Sequence, residues 1–133
     1  MQQIDDTKAD LKNRLLKRMP EAGSFPSAME GVTFHRRDVA EAPRNCLYRP
    51  MVVYMPQGRK TATQGSNKVF FGHNELMVVG IDVPSTSNIT EASQEKPALA
   101  ISVNVDMNLI GQLSLVLPWS VPVDTEPTLP LMV

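Results

Sequence analysis

A single cysteine, Cys46, stands among 133 residues. The chain therefore holds no internal disulfide, and it reads as a protein of a reducing compartment, the cytoplasm. Histidine is almost as scarce, with only His35 and His73. No stretch approaches the roughly 20 apolar residues of a membrane-spanning helix. The start, Met1 to Asp6, has neither the cationic head nor the apolar core of a secretion signal. Charge of one sign is missing as well. The 13 Lys and Arg nearly balance 14 Asp and Glu, a net charge of −1, which gives no global attraction to nucleic acid or to anionic membranes. Basic groups are nonetheless concentrated early: residues 1–70 carry 12 basic and 7 acidic side chains, residues 71–133 carry 1 and 7. No Arg/Lys stripe interleaved with aromatics accompanies them, so interleaved strands of opposite sign explain the asymmetry better than a nucleic-acid face.

With 42% hydrophobic and 20% charged residues, the composition is that of one folded domain of ordinary size. The first predicted element is an amphipathic helix from Thr7 to Met19. Leu11, Leu15, Leu16 and Met19 recur at helical spacing, and Asp5, Asp6 or Thr7 is placed to cap it. Pro20 stops it, and Glu21 to Ser27 reads as loop.

From there the period becomes two. Val32 and Phe34 alternate with Thr33 and His35, and the strand runs into the charged turn Arg36-Arg37-Asp38. Met51 to Met55 is a near-continuous apolar run. The turn Pro56-Gln57-Gly58 then predicts a hairpin with the polar strand Arg59 to Gln64. Gly65-Ser66-Asn67 turns into Val69-Phe70-Phe71, a strand follows over Leu76 to Ile81, and Thr86 to Thr90 suits an edge. The clearest alternation is Leu99, Ile101, Val103 and Val105 against Ala100, Ser102 and Asn104. Asp106 reads as the N-cap of a helix through Leu117, after which Pro118 to Val133 carries four of the 11 prolines and reads as a linker or tail. The fold class that results is mainly β: a small antiparallel sandwich or barrel over residues 1–117 with an N-terminal and a C-terminal helix, followed by the Pro-rich 118–133.

Catalytic chemistry finds little purchase in this sequence. On a strand, His73 and Glu75 would share a face and could begin a metal site, but two histidines are few for a catalytic metal, and a solvated turn explains them better. Cys46 lies near Arg44 and Arg49, which favour a thiolate, yet has no histidine close in sequence to act as its base. Gly58-Arg59-Lys60 precedes no helix, so it offers no amide cradle for phosphate. No catalytic residue, metal ligand or cofactor is therefore assigned. Met51, Met55 and Met77 with Tyr48 and Tyr54 suit an adaptable apolar pocket, and suit core packing equally well.

One further pattern spans Cys46 to Leu117. It contains Leu47-Tyr48-Arg49-Pro50, an apolar strand, Gln57-Gly58-Arg59-Lys60, Gly65, Val69-Phe70, Leu76 and Asp82-Val83-Pro84. It continues through Ala92-Ser93, Glu95, Pro97 and Leu99 to Val105 into Asp106. In order and spacing this resembles the N-terminal sensor domain of AraC-type transcriptional regulators. The resemblance implies a cupin-like barrel that senses a small-molecule effector or supports a homodimer, coupled to a C-terminal pair of helix-turn-helix motifs. The 16 residues after Leu117 leave no room for such a pair, so contact with DNA is expected only through a domain outside this chain. Cupin enzymes surround a metal with several histidines, and two are too few for that. From alternation, the candidate ligand-binding residues are Met51, Val53 and Met55 on one strand face and Leu99, Ile101 and Val103 on another. Tyr54 and Arg59 are the candidate polar anchors. The alternatives are a small cupin enzyme, a metal-dependent isomerase or oxygenase, and a protein-interaction module that binds no small molecule.

Overall fold

The computed structural model describes residues 2–106, 108, 112 and 131–132. The 3.6-residue pattern forms helix α1, Gln2–Arg18, which begins before the predicted Thr7. Gln2, Gln3 and Ile4 offer nothing that breaks a helix. Asp5 therefore sits within the first turn, where its charge suits the dipole, and Lys17 and Arg18 occupy the last turn. Arg14 pairs with Asp10 at 2.9 Å along the exposed face. The end is held from outside: the Arg36 guanidinium donates to the Met19 carbonyl at 2.6 Å and to Asp38 Oδ1 at 2.8 Å. It satisfies a terminal helix acceptor that would otherwise face the sheet unpaired.

Ten strands follow among the described residues: β1 Gly23–Pro26, β2 Val32–Arg37, β3 Arg44–Tyr48, β4 Met51–Gln57, β5 Arg59–Gln64, β6 Asn67–Gly72, β7 Glu75–Val79, β8 Val83–Glu91, β9 Ala98–Asn104 and β10 Leu131–Met132. All described pairings are antiparallel, in a six-stranded sheet β1-β2-β9-β4-β7-β10 and a four-stranded sheet β3-β8-β5-β6. The predicted mainly β sandwich with an N-terminal helix is thus what the chain forms. Its layers are α1, the larger sheet and the smaller sheet.

Several local expectations need correction. Residues Glu21 to Ser27 are not all loop, because Gly23–Pro26 pairs with β2 at the sheet edge, where a proline costs no ladder bond. Arg36 and Arg37 extend β2 instead of turning it. The predicted hairpin of β4 with β5 does not form. β4 pairs with β7 and β9, and β5 pairs with β6 and β8, so Gly58 turns a corner from one sheet to the other. Gly58 has φ +90, and a Cβ there would lie 2.6 Å from Ala98 Cβ and 2.9 Å from the Glu91 carbonyl oxygen. Only glycine fits that corner. The segment Thr86 to Thr90 lies inside β8, which is flanked by β3 and β5 and is no edge. Strand β3 is absent from the sequence reading because Arg44-Asn45-Cys46 carries no apolar alternation.

Asp106 Oδ1 accepts from the Asn108 amide at 2.9 Å, as an N-cap does, while the remainder of the predicted helix to Leu117 lies outside the described residues. Most of the Pro-rich segment 118–133 lies outside them too. Leu131–Met132 pairs with β7.

Two apolar cores result. Between the sheets lie Tyr48, Val53, Met55, Ala62, Phe71, Met77, Val79, Val83 and Ala98. Between α1 and the larger sheet lie Leu15, Met19 and Leu99, with Leu11, Leu16, Phe34 and Ile101 packed against them. Each large side chain buried this way contributes about 1.5–3 kcal/mol before entropy is counted. Around Phe34, Leu99 and Ile101 the six-stranded sheet is therefore covered on both faces, and this decides where those strands' side chains can act.

Candidate functional site

Successive strand residues point to opposite faces, so the register assigns every side chain of the larger sheet to the helix side or to the interior. On β2 and β9, Phe34 lies opposite Ile101 and Arg36 opposite Leu99, and these face α1. His35 lies opposite Ala100, and Thr33 opposite Ser102, on the interior face. On β4, Met51, Val53 and Met55 are interior, while Tyr54 lies opposite Ile101 and shares its outer face.

The interior is not filled completely. A cavity of about 400 Å³ opens between the sheets. Its apolar wall is Met51, Val53, Met55, Phe71, Ile89 and Ala100. The polar wall comprises His35, Arg37, Glu41, Arg44, Asn45, Lys60, Ser87, Asn88 and Ser102, with Cys46, Leu47 and Tyr48 completing the lining. That volume lies within the range of small-molecule sites.

The polar wall is organised around charge. Arg37 reaches the Gly23 carbonyl at 2.8 Å and Ser24 Oγ at 3.0 Å, and its Nε lies 3.4 Å from Glu41 Oε1. Arg44, largely exposed, pairs with the other Glu41 oxygen at 2.8 Å. Lys60 Nζ sits 5.2 Å from the centroid of the Tyr48 ring, a cation–π distance, and meets no carboxylate at ion-pair distance among the described residues. His35 is tied between two hydroxyls: Nδ1 to Ser24 Oγ and Nε2 to Ser102 Oγ, both at 2.9 Å. Burial of the ring, and then the positive charges of Arg37 and Lys60, hold its pKa down from 6.5 to about 4. The neutral ring donates through one nitrogen and accepts through the other. Tyr48 is 6% exposed, and its hydroxyl is buried without a hydrogen-bond partner among the described residues. Leaving such a group unpaired costs about 1–3 kcal/mol. Cys46 Sγ lies 3.4 Å from Ser87 Oγ, while the rings of His35 and His73 hydrogen-bond to Ser24, Ser102 and Glu91.

Of the residues singled out from sequence, Met51, Val53 and Met55 line this cavity. Leu99 and Ile101 pack toward α1 on the other side of the sheet, and Val103, further along the same face, is 38% exposed. Tyr54 shares their outer face; its hydroxyl donates to Asn74 Oδ1 at 2.7 Å, and desolvation pushes its pKa up. Arg59 is exposed, and its neighbour Lys60 points inward instead. Sequence reasoning missed Lys60, His35, Arg37 and Ser102. The available signals were Ala62, the small apolar residue sharing a strand face with Lys60, and the parity of His35 with Arg37 opposite Phe34.

His73 and Glu75 do not stand side by side on a strand. His73 has φ +50 in the turn before β7 and contacts Glu91 at 3.2 Å, while Glu75 accepts from the Gly72 amide at 3.1 Å. Among the described residues no three His, Cys, Asp or Glu side chains gather in a way that could hold a metal ion.

Residues 28–130 match the family model for the AraC-type transcriptional regulator N-terminus. The chain belongs to that family. The AraC-type match begins just before β2 and takes in the whole cavity lining. No curated protein sequence matches the chain. Among solved structures, the AraC-type domain is similar to a cupin-2 domain containing protein from Shewanella frigidimarina NCIMB 400, at 12% identity and a TM-score of 0.48, over 75% of this chain and 98% of that one. It is also similar to the CENP-C cupin domain of Drosophila melanogaster, at 9% identity and a TM-score of 0.41, over 60% of this chain and 65% of that one. Among the described residues of the AraC-type domain, no helix is long and apolar enough to cross a membrane.

Proposed function

We propose that this AraC-type domain is the effector-sensing part of a cytoplasmic transcriptional regulator, binding a small molecule between its sheets and performing no catalysis. The observation that carries the reading is the cavity itself, set in a domain of this family and lined by converging polar groups over an apolar floor. The effector shifts the population between two arrangements of the domain, and a DNA-binding module outside this chain reads the shift. The domain self-associates, and the exposed Leu76 and Val78 on the outer face of β7 support that part.

The rival reading, a metal-dependent cupin enzyme, needs histidines free to bind metal. His35 is engaged by two serine hydroxyls and His73 by Glu91. The test is a thermal-shift screen of the purified domain against sugars, aldehydes and organic acids, repeated on Ala100→Leu, which fills the cavity. Compounds that raise the melting temperature of the wild type and not of the variant support an interior effector site. Turnover of any hit, or hits indifferent to the variant, overturns it, and light scattering that reports a monomer at high concentration removes the self-association.

A further inference from the structure

The walls of the cavity are unequal in charge. Arg37, Arg44 and Lys60 face it with one carboxylate between them, and both oxygens of that carboxylate, Glu41, are already engaged by the two arginines. Lys60 is left over. Its ammonium lies against the Tyr48 ring, half-buried, and finds no carboxylate among the described residues. A half-buried ammonium is stabilised by an opposite charge far more than one in open water, because the surrounding protein screens the attraction less. Facing it is an apolar floor of Met51, Val53, Met55 and Phe71, which offers nothing to a polar body.

Three ligand chemistries can be weighed against this arrangement. A cation is opposed by the excess positive charge. A sugar needs many donors and acceptors at close spacing, yet the hydroxyls of Ser102 and Ser87 already face His35 and Cys46. An amphiphilic anion meets both walls at once.

We infer that the effector is an organic acid with an apolar body, its carboxylate paired with Lys60 beside Arg37 and its hydrocarbon part resting on the methionines of β4. This rests on the effector-site reading above and narrows it to one chemical class. Two methionines on the floor let it adjust to acids of different shape, so the pocket selects the charged head more sharply than the body. A volume of about 400 Å³ equals roughly a dozen waters, room for a small aromatic or branched acid.

The test compares benzoate, phenylacetate and hexanoate with their primary amides, by calorimetry on the full chain at constant ionic strength. Each amide keeps shape and body and loses only the charge. The acids are expected to bind at least about tenfold more tightly than the amides, a difference of about 1.4 kcal/mol. Lys60→Gln is expected to remove most of that preference by weakening the acids far more than the amides, and Lys60→Arg to retain it. Inorganic sulfate is expected to compete weakly, since it has no apolar body. Acids and amides binding alike would overturn the anion assignment and leave the effector site standing, as would binding of sugars alone. If neither this panel nor the broader screen shows any interior binding, the effector site itself falls.

Discussion

Lowering the pH below neutral should destabilise this domain through one imidazole. His35 is held neutral, with its pKa near 4 against 6.5 in the unfolded chain. Above pH 6.5 the ring is neutral in both states and contributes no pH dependence. Between 6.5 and 4 the unfolded chain takes up a proton that the folded one refuses, so the free energy of unfolding falls as pH falls through that window. A displacement of that size corresponds to at most about 3 kcal/mol. The ring is only half-buried, and screening reduces the expected loss to about 1–2 kcal/mol. For a domain this size that is a drop in melting temperature of about 5 °C. His35→Gln supplies the control, because an amide can still bridge Ser24 and Ser102 but does not titrate. The assay is urea unfolding of both proteins from pH 7.5 to 4.5, with the ring followed by NMR. The stability of the wild type should decline relative to the variant over this range. Parallel curves, or a ring that titrates near 6.5, would refute the claim that burial and the charges of Arg37 and Lys60 keep it neutral.

Two substitutions test the frame around the cavity. Gly58→Ala places a methyl group against Ala98 and the Glu91 carbonyl at a positive φ, and it should cost about 3 kcal/mol, measured as a lower denaturation midpoint with unchanged slope. Leu15→Ala empties part of the core between α1 and the larger sheet, and it should cost about 2–4 kcal/mol. Because Leu15 touches only the outer face of that sheet, the variant should bind interior ligands with wild-type affinity at low temperature, and a loss of binding there would show that the two faces are coupled.

Much of the strand content was legible because the apolar alternation is regular. Leu99, Ile101 and Val103 do share a face, and so do Met51, Val53 and Met55. What alternation cannot say is which side of a sheet a face belongs to when both sides are covered. An open sheet has one apolar face and one wet face, so apolar parity marks the interior. Here α1 takes the apolar set of β9, and the interior receives Ala98, Ala100 and Ser102. The β4–β5 corner was illegible for a similar reason. A glycine after a strand predicts a hairpin, and only the close approach of Ala98 to Gly58 reveals that the chain changes sheets there.

The same swap accounts for the cavity. A sandwich fills its interior when large side chains project inward from both sheets at packing density close to that of crystals. On β9 the inward positions carry only small side chains, and beside them on β2 stand His35 and Arg37, whose polar ends are held to Ser24, Ser102 and the Gly23 carbonyl. Space therefore remains beneath Met51 and Val53, bordered on one side by these fixed polar groups and on the other by Lys60 from the second sheet. Had Leu99 and Ile101 faced inward, their volume would have closed the gap and left α1 nothing to pack against. The helix is in this sense a condition of the site: by drawing the large residues of β9 outward, it leaves an interior in which charge and empty volume coincide.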